Sequence, residues 1–184
     1  GVLMAQYTPS SGNYCRPVRS PWGNFPVRGF QPISTSLQLS PGQLLTLGTA
    51  GSTDTHRVIA DVTGSKAGQA AVRIVGICAE VYAATPNSSA TTPNTVSVWE
   101  ANPNVEFMAV TTGAALASSQ VGKRCPLTWD STLRIEIIDL AISTATDARV
   151  VITGILPGLT GNVDGDSGGY ASFRFINRLG DQVA

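Results

Sequence analysis

The segment NTVSVWEANPNVEFMAV (residues 94–110) is the part of the chain that most clearly indicates the fold. Its two halves, VSVWE and VEFMAV, are short and rich in β-branched and aromatic residues, which is the composition of β-strands. Asn102 and Pro103 lie between the halves and predict a turn, because a proline cannot donate a hydrogen bond to a neighbouring strand. The segment therefore predicts two short strands separated by a tight connection.

The same pattern of short strands and polar turns continues through residues 43–184. The one helical candidate, GAALASSQVG (residues 113–122), is long enough for one or two turns. We therefore expect an all-β fold, a single antiparallel β-barrel or sandwich of about eight short strands. The remaining predicted strands lie within QLLTLGT (43–49), HRVIADV (56–62), AAVRIVGICAEVYA (70–83), TLRIEIIDL (132–140), ARVVITGIL (148–156) and YASFRFI (170–176).

Alternation within these strands predicts which side chains face the core, since successive residues of a strand point to opposite faces. Gly76 interrupts a β-branched run and predicts a bulge or a close approach of another backbone. The predicted core face consists of Leu133, Ile135, Ile137, Val151, Phe173 and Phe175. The residues predicted to face outward are Arg134, Glu136, Ser172 and Arg174.

The first 42 residues differ from the rest. Residues 7–32 hold five of the eleven prolines and five of the twelve aromatic residues, and no acidic residue precedes Asp54. Proline at this density excludes a long helix and favours an extended backbone. We therefore expect an extended N-terminal arm over residues 1–42 and a β-barrel domain over residues 43–184. The arm is expected to lie across a neighbouring subunit or the shell, with a plug that closes one end of its own barrel as the alternative. The candidate interaction residues are Arg16, Arg19, Trp22, Phe25, Arg28 and Phe30.

Composition limits the possible partners. Charged residues make up 13% of the chain, with 12 basic and 12 acidic side chains, against about 25% charged residues in soluble domains. A balanced charge gives no overall field toward nucleic acid or an anionic membrane, so we expect neither as a direct partner. Lys66 and Lys123 are the only lysines. Arginine suits contact surfaces better than lysine does, so we expect much of the surface to be covered by protein partners.

The string GDSGG (residues 165–169) is also found around the nucleophile of chymotrypsin-like proteases. Ser167 with His56, and with Asp61, Asp130 or Asp139, would reproduce the chain order of that triad. However, about eight strands are too few for two barrels, and 17 residues after Ser167 are too few to complete a specificity pocket. We interpret the string as a glycine-rich turn, with a serine hydrolase using Ser167 and His56 as an alternative.

Nothing in the sequence predicts a cofactor or a bound metal. Cys15, Cys78 and Cys125 are far apart and without a CxxC pair, so we expect reduced structural thiols. The chain has one histidine, which argues against a zinc site, and DGD lacks the spaced carboxylates of a calcium loop. A carbohydrate-binding module with Trp22, Trp99 and Trp129 as sugar platforms is a further alternative, but their scatter favours packing roles.

Residues 98–155 (VWEANPNVEFMAV…STLRIEIIDL…ARVVITGI), preceded by THRVIADV and VRIVGICAEVY, carry a resemblance to a known class. Over residues 44–176 the chain resembles capsid decoration (cement) proteins and related virion structural proteins of tailed bacteriophages. The resemblance implies a β-barrel, commonly trimeric, on the outer surface of the virion capsid, with the major capsid protein as partner and no catalytic residue. A tail or neck component is the alternative within the same class.

Overall fold

A computed structural model describes residues 15–32, 38–47, 57–60, 74–83, 95–130, 135–141, 148–156 and 169–176, and the structural statements below concern these residues. They contain fourteen strands, a single 3-10 turn at Ser118–Gln120 within the predicted helical candidate, and no α-helix. The predicted all-β class is confirmed, with more strands than the eight expected. The strands are β1 (Arg16–Arg19), β2 (Val27–Pro32), β3 (Gln38–Leu39), β4 (Leu44–Leu47), β5 (Arg57–Ala60), β6 (Ile74–Cys78), β7 (Tyr82–Ala83), β8 (Val96–Glu100), β9 (Glu106–Thr112), β10 (Arg124–Cys125), β11 (Leu127–Asp130), β12 (Ile135–Asp139), β13 (Val150–Ile155) and β14 (Tyr170–Phe175).

Two sheets make up most of the fold. One is a seven-stranded sheet in the order β10-β13-β14-β9-β12-β11, with β1 also paired to β9. The other is a closed barrel formed by β2, β5, β4, β6 and β8, and β3 and β7 form a separate two-stranded pair. Among the described strands most pairs are antiparallel, and two pairs, β9–β12 and β2–β5, are parallel. Parallel pairing requires a crossover between the strands, and β10 and β11 lie on the crossover between β9 and β12.

The main hydrophobic core lies between the barrel wall and the seven-stranded sheet. Leu44 and Ile77, which are paired on β4 and β6, face this core from the barrel side. Phe107, Phe173 and Phe175 face it from the sheet, with ring centroids 4.9–6.0 Å apart. A second core fills the barrel interior and consists of Phe30, Leu39, Leu45, Val75, Cys78, Val96 and Val98.

Gly76 lies where strand β6 closely approaches the backbone of β8. A Cβ atom at this position would collide with the backbone carbonyl oxygen of Trp99 on β8. The register between β4 and β6 also shifts opposite Gly76, between Leu45 and Thr46. The predicted close approach at this glycine is therefore confirmed.

The face predictions hold for some strands and fail for others. Phe173 and Phe175 are buried in the main core as predicted, and Arg174 is exposed. Ile135 is also buried, at 5% exposure, but it shares a face of β12 with Ile137, opposite the core residue Ile138. Ile137 and Val151 are half-buried, so their assignment to the core is wrong. The residues that fill the core from these strands are Ile138, Val150 and Ile152. Leu133 and Arg134 lie outside the described residues.

Two polar residues predicted to face outward are buried. Ser172 is 5% exposed, and its hydroxyl accepts a hydrogen bond from the Thr153 hydroxyl at 3.0 Å. Glu136 is 1% exposed, and its carboxylate accepts a hydrogen bond from the backbone N–H of Leu44. Both predictions are wrong because a polar side chain can be buried when it finds a hydrogen-bond partner, and these partners come from other strands.

Much of the predicted arm belongs to the two sheets. Arg16 and Pro17 on β1 pair with Met108 and Phe107 on β9. Residues 27–30 of β2 pair with β8 and so form part of the barrel. For these strands the structure provides partners within the same chain, which does not support the hypothesis that they cross to a neighbouring subunit. Residues 1–14 and 33–37 of the predicted arm lie outside the described residues.

Candidate interaction surface

The connection between β1 and β2 is a tight turn that presents a tryptophan to solvent. Ser20 and Pro21 open the turn, and the backbone N–H of Gly23 donates to the carbonyl oxygen of Ser20 at 3.3 Å. The Ser20 hydroxyl also accepts a hydrogen bond from the N–H of Trp22 at 3.3 Å. Serine, proline and glycine at the first, second and fourth positions are typical of a type I turn. The Trp22 side chain is held here at 56% exposure.

A second exposed apolar side chain follows in the same part of the chain. Val27, on β2, is 55% exposed. The described residues contain two other large apolar side chains with comparable exposure, Val81 and Val121. Of these four exposed apolar residues, Trp22 and Val27 lie close together in the sequence. Both lie within the segment predicted to make contacts.

Exposed arginines flank this apolar pair. Arg19, on β1, forms an ion pair with Glu106 at 3.5 Å, and its side chain is 76% exposed. Arg28, on β2, forms a longer ion pair with Glu100 at 3.7 Å. Arginine next to an exposed tryptophan is the composition of a contact hot spot. The β1–β2 surface, which we define as Arg19, Trp22 and Val27, is the candidate interaction surface.

Arg28 lies on the same face of β2 as Phe30. It pairs in register with Val98, and Phe30 pairs with Val96, so both side chains point toward the barrel interior. The Arg28 guanidinium lies 5.5 Å from the centre of the Phe30 ring, within the range of a cation–π contact. A pocket of about 250 Å³ opens beside them, lined by Arg28, Phe30, Val75, Glu100, Ala101, Asn102 and Pro103.

Three of the six predicted interaction residues are at least partly inside the fold. Phe30 is 4% exposed in the barrel interior, and Phe25 packs against the main core. Arg16 is half-buried, and its Nε makes no hydrogen bond within the described residues. The structure thus brings Arg19, Trp22 and Arg28 to the surface. Val27 was missed because a single valine in a strand carries no signal of exposure.

The residues of the alternative catalytic and sugar-binding hypotheses are not assembled into a described site. Ser167, His56 and Asp61 lie outside the described residues, while Asp130 and Asp139 are half-buried on β11 and β12. Gly169, the last residue of the GDSGG string, is buried and its carbonyl accepts hydrogen bonds from Thr111. Trp99 and Trp129 are half-buried in different sheets, away from the exposed Trp22.

The three cysteines are buried and form no disulfide, which confirms the prediction of free structural thiols. Burial raises the pKa of the Cys78 thiol to about 11, and burial followed by the nearby Glu136 carboxylate raises the pKa of Cys15. Because the thiolate is the reactive form, these pKa shifts make both side chains inert near neutral pH. Across the described ranges, no three His, Cys, Asp or Glu side chains are grouped to hold a metal ion.

No protein-family model, curated protein or solved structure matches this chain. Within the described part of the chain, no helix has both the length and the apolar character needed to cross a membrane.

Proposed function

We propose that this chain is a non-enzymatic structural protein that decorates and stabilises the capsid shell of a tailed bacteriophage, as a homo-oligomer, a trimer. The observation that carries the contact role is the exposed Trp22 on its hydrogen-bonded turn, with the exposed Arg19 and Val27 on the two strands that the turn connects. The resemblance of residues 44–176 to decoration proteins is the basis for proposing the capsid as the partner and its outer surface as the location.

The β1–β2 surface has the physical features of a contact site. An exposed indole and valine leave apolar area in water, and a partner that covers them removes that area from solvent. The turn is hydrogen-bonded and both flanking strands are paired into sheets. Little conformational freedom is therefore lost when a partner binds, which favours affinity. Repetition of this surface in an oligomer would strengthen attachment to a symmetric shell.

Co-sedimentation tests the proposal. Capsids assembled from the major capsid protein encoded in the same genome should sediment together with the purified chain. We expect Trp22→Ala to weaken the apparent affinity about 30-fold, because truncating a central interface tryptophan costs about 2 kcal/mol or more. Val27→Ala should have a smaller effect. Val121→Ala is the matched control, since Val121 is 47% exposed in another part of the fold, and it should bind like the unmodified chain.

The possible outcomes separate the parts of the proposal. If the unmodified chain fails to co-sediment with capsids, the decoration role is wrong. If it co-sediments and Trp22→Ala binds equally well, the β1–β2 surface is not the contact. Light scattering checks the trimer, for which three chains of 19.1 kDa each are expected. Labelling of Ser167 by a fluorophosphonate, lost in Ser167→Ala, would show a serine hydrolase instead.

A further inference from the structure

Three arginines and one glutamate lie in a line across the outer face of the seven-stranded sheet. Arg124 on β10 pairs in register with Val151 on β13, and Val151 pairs with Arg174 on β14. Arg174 binds the side chain of Glu106 on β9, and Glu106 pairs in register with Arg19 on β1. We call Arg124, Arg174 and Arg19 the arginine row.

The row lies on one face of the sheet. Residues directly opposite each other in neighbouring strands point to the same face, so Arg124, Val151 and Arg174 share a face. Phe173 and Phe107, the neighbours of Arg174 and Glu106 along their strands, are buried in the main core on the opposite face. All three arginines are exposed, so the row is open to a partner.

The row carries more positive charge than the fold needs. Glu106 is buried to 9% side-chain exposure, and a carboxylate in that position needs a cation. Arg174 meets that need with an Nη2–Oε1 distance of 3.0 Å. Arg19 lies farther from the same carboxylate, at 3.5 Å and with 76% exposure, and Arg124 makes no ion pair with the described residues. Among the described residues of the row and its partner, three guanidinium groups therefore stand against one carboxylate.

The spacing of the row is regular. Adjacent strands are about 4.8 Å apart, and Arg124 and Arg174 are separated by two strand spacings, as are Arg174 and Arg19. The backbone positions of the three arginines are therefore about 10 Å apart, over a total of about 20 Å. Arg16 adds a further guanidinium beside the row, since it pairs with Met108, the next residue after Glu106 on this face.

We infer that the arginine row is a binding surface for an acidic protein segment, whose separate carboxylates pair with the separate guanidinium groups. Guanidinium and carboxylate groups form two parallel hydrogen bonds in a matched planar geometry. Single-stranded nucleic acid fits less well, because its bases bind by stacking on aromatic side chains. The residue between Arg124 and Arg174 is Val151, which offers no ring on which a base could stack. The inference does not depend on the proposed capsid role.

Fluorescence anisotropy with two labelled probes tests this inference. The probes are a twelve-residue polyglutamate and a twelve-nucleotide oligothymidylate, measured at 50 and 200 mM NaCl. The variant Arg19→Gln/Arg124→Gln removes both ends of the row and keeps Arg174 beside Glu106, so the buried carboxylate retains a cation. Arg124→Gln alone is a milder variant in case the double variant melts at a lower temperature. Arg28→Gln is the matched control, since Arg28 is an exposed arginine on the barrel that belongs neither to the arginine row nor to the β1–β2 surface.

We expect polyglutamate to bind the unmodified chain at 50 mM NaCl. Compared with the unmodified chain, the double variant should bind it at least tenfold more weakly, and Arg124→Gln a few-fold more weakly. Arg28→Gln should stay within twofold of the unmodified chain, and 200 mM NaCl should weaken binding because ionic screening increases. Equal polyglutamate binding by the unmodified chain and the double variant would overturn the inference. Tighter binding of oligothymidylate than of polyglutamate, with the same sensitivity to the variants, would overturn the acidic protein segment as the partner.

Discussion

The carboxylate of Glu136 on β12 accepts a hydrogen bond from the backbone N–H of Leu44 on β4, with an O–N distance of 3.1 Å. Glu136 is 1% exposed, and Leu44 is 2% exposed. The bond crosses from the seven-stranded sheet to the barrel, next to the apolar side chains of the main core. A buried polar bond at such a contact fixes how the two surfaces are aligned, because an unpaired carboxylate there would be costly.

Glu136→Ala should lower the free energy of unfolding by roughly 1.5–3 kcal/mol, the range for a hydrogen bond to a charged group. Glu136→Gln should lose less, because its amide oxygen can still accept the bond from Leu44. Urea denaturation followed by tryptophan fluorescence measures both values. An unchanged free energy in Glu136→Ala would show that the bond does not stabilise the contact between the sheets.

Gly76→Ala should be strongly destabilising, since the added methyl group would collide with the carbonyl oxygen of Trp99. We expect a loss of about 3 kcal/mol, at the upper end of the usual range for an overpacked core. Gly29→Ala is the control, because its Cβ would meet the nearest atom of Thr95 at 3.5 Å, an ordinary contact distance. Equal melting temperatures for the two variants would contradict the close approach of β6 and β8.

Adjacent isoleucines on β12 provide a test of which face of the strand is buried. Ile138 is fully buried in the main core, whereas Ile137 is half-buried on the opposite face. Ile138→Ala should therefore cost roughly 2–5 kcal/mol of unfolding free energy, and Ile137→Ala clearly less. The two variants make the same chemical change one residue apart. A larger loss for Ile137→Ala in denaturant unfolding would mean that the faces of β12 are reversed.

The buried thiol of Cys78 should lower the free energy of unfolding at alkaline pH. Burial raises its pKa from the ordinary value of 9.0 to about 11. As the pH rises, the thiol therefore ionises at a lower pH in the unfolded chain than in the folded chain. Its contribution to the free energy of unfolding is complete below pH 9 and is lost as the pH rises toward 11. Cys78→Ala should show a shallower fall in unfolding free energy between these pH values than the unmodified chain. Identical pH profiles would contradict the raised pKa.

The all-β class could be predicted because its pattern is local: short β-branched runs are separated by Asn, Pro and Gly. The runs around Trp99 and Phe107 are the strands β8 and β9, as predicted. Alternation succeeded for Phe173 and Phe175, whose partners Val150 and Ile152 are equally apolar. Local composition is sufficient where a strand has one apolar face.

The failures share a different cause, which is that the deciding partner is distant in the sequence. Alternation predicts that Glu136 faces outward. Its burial depends on the backbone N–H of Leu44, 92 residues earlier in the chain, which donates a hydrogen bond to its carboxylate. The Pro-rich segment was predicted to be extended, and its described strands are extended. The pairing of Arg16 with Met108 could not be predicted from the local sequence. The arginine row was missed for the same reason. The exposure of Arg174 was predictable, whereas its alignment with Arg124 and Arg19 depends on the order of the strands.

The pairing of β1 with β9 has a consequence for synthesis of the chain. Among the described strands, β1 pairs with β9 alone, so its backbone groups have no strand partner until about 90 more residues have been made. At ribosomal rates of roughly 5–20 residues per second, this wait is on the order of 5–20 seconds. An unpaired strand is prone to aggregation, and proline and charged side chains reduce that risk. We therefore expect Pro17, Arg16 and Arg19 to reduce aggregation of the nascent chain during the interval before β9 emerges.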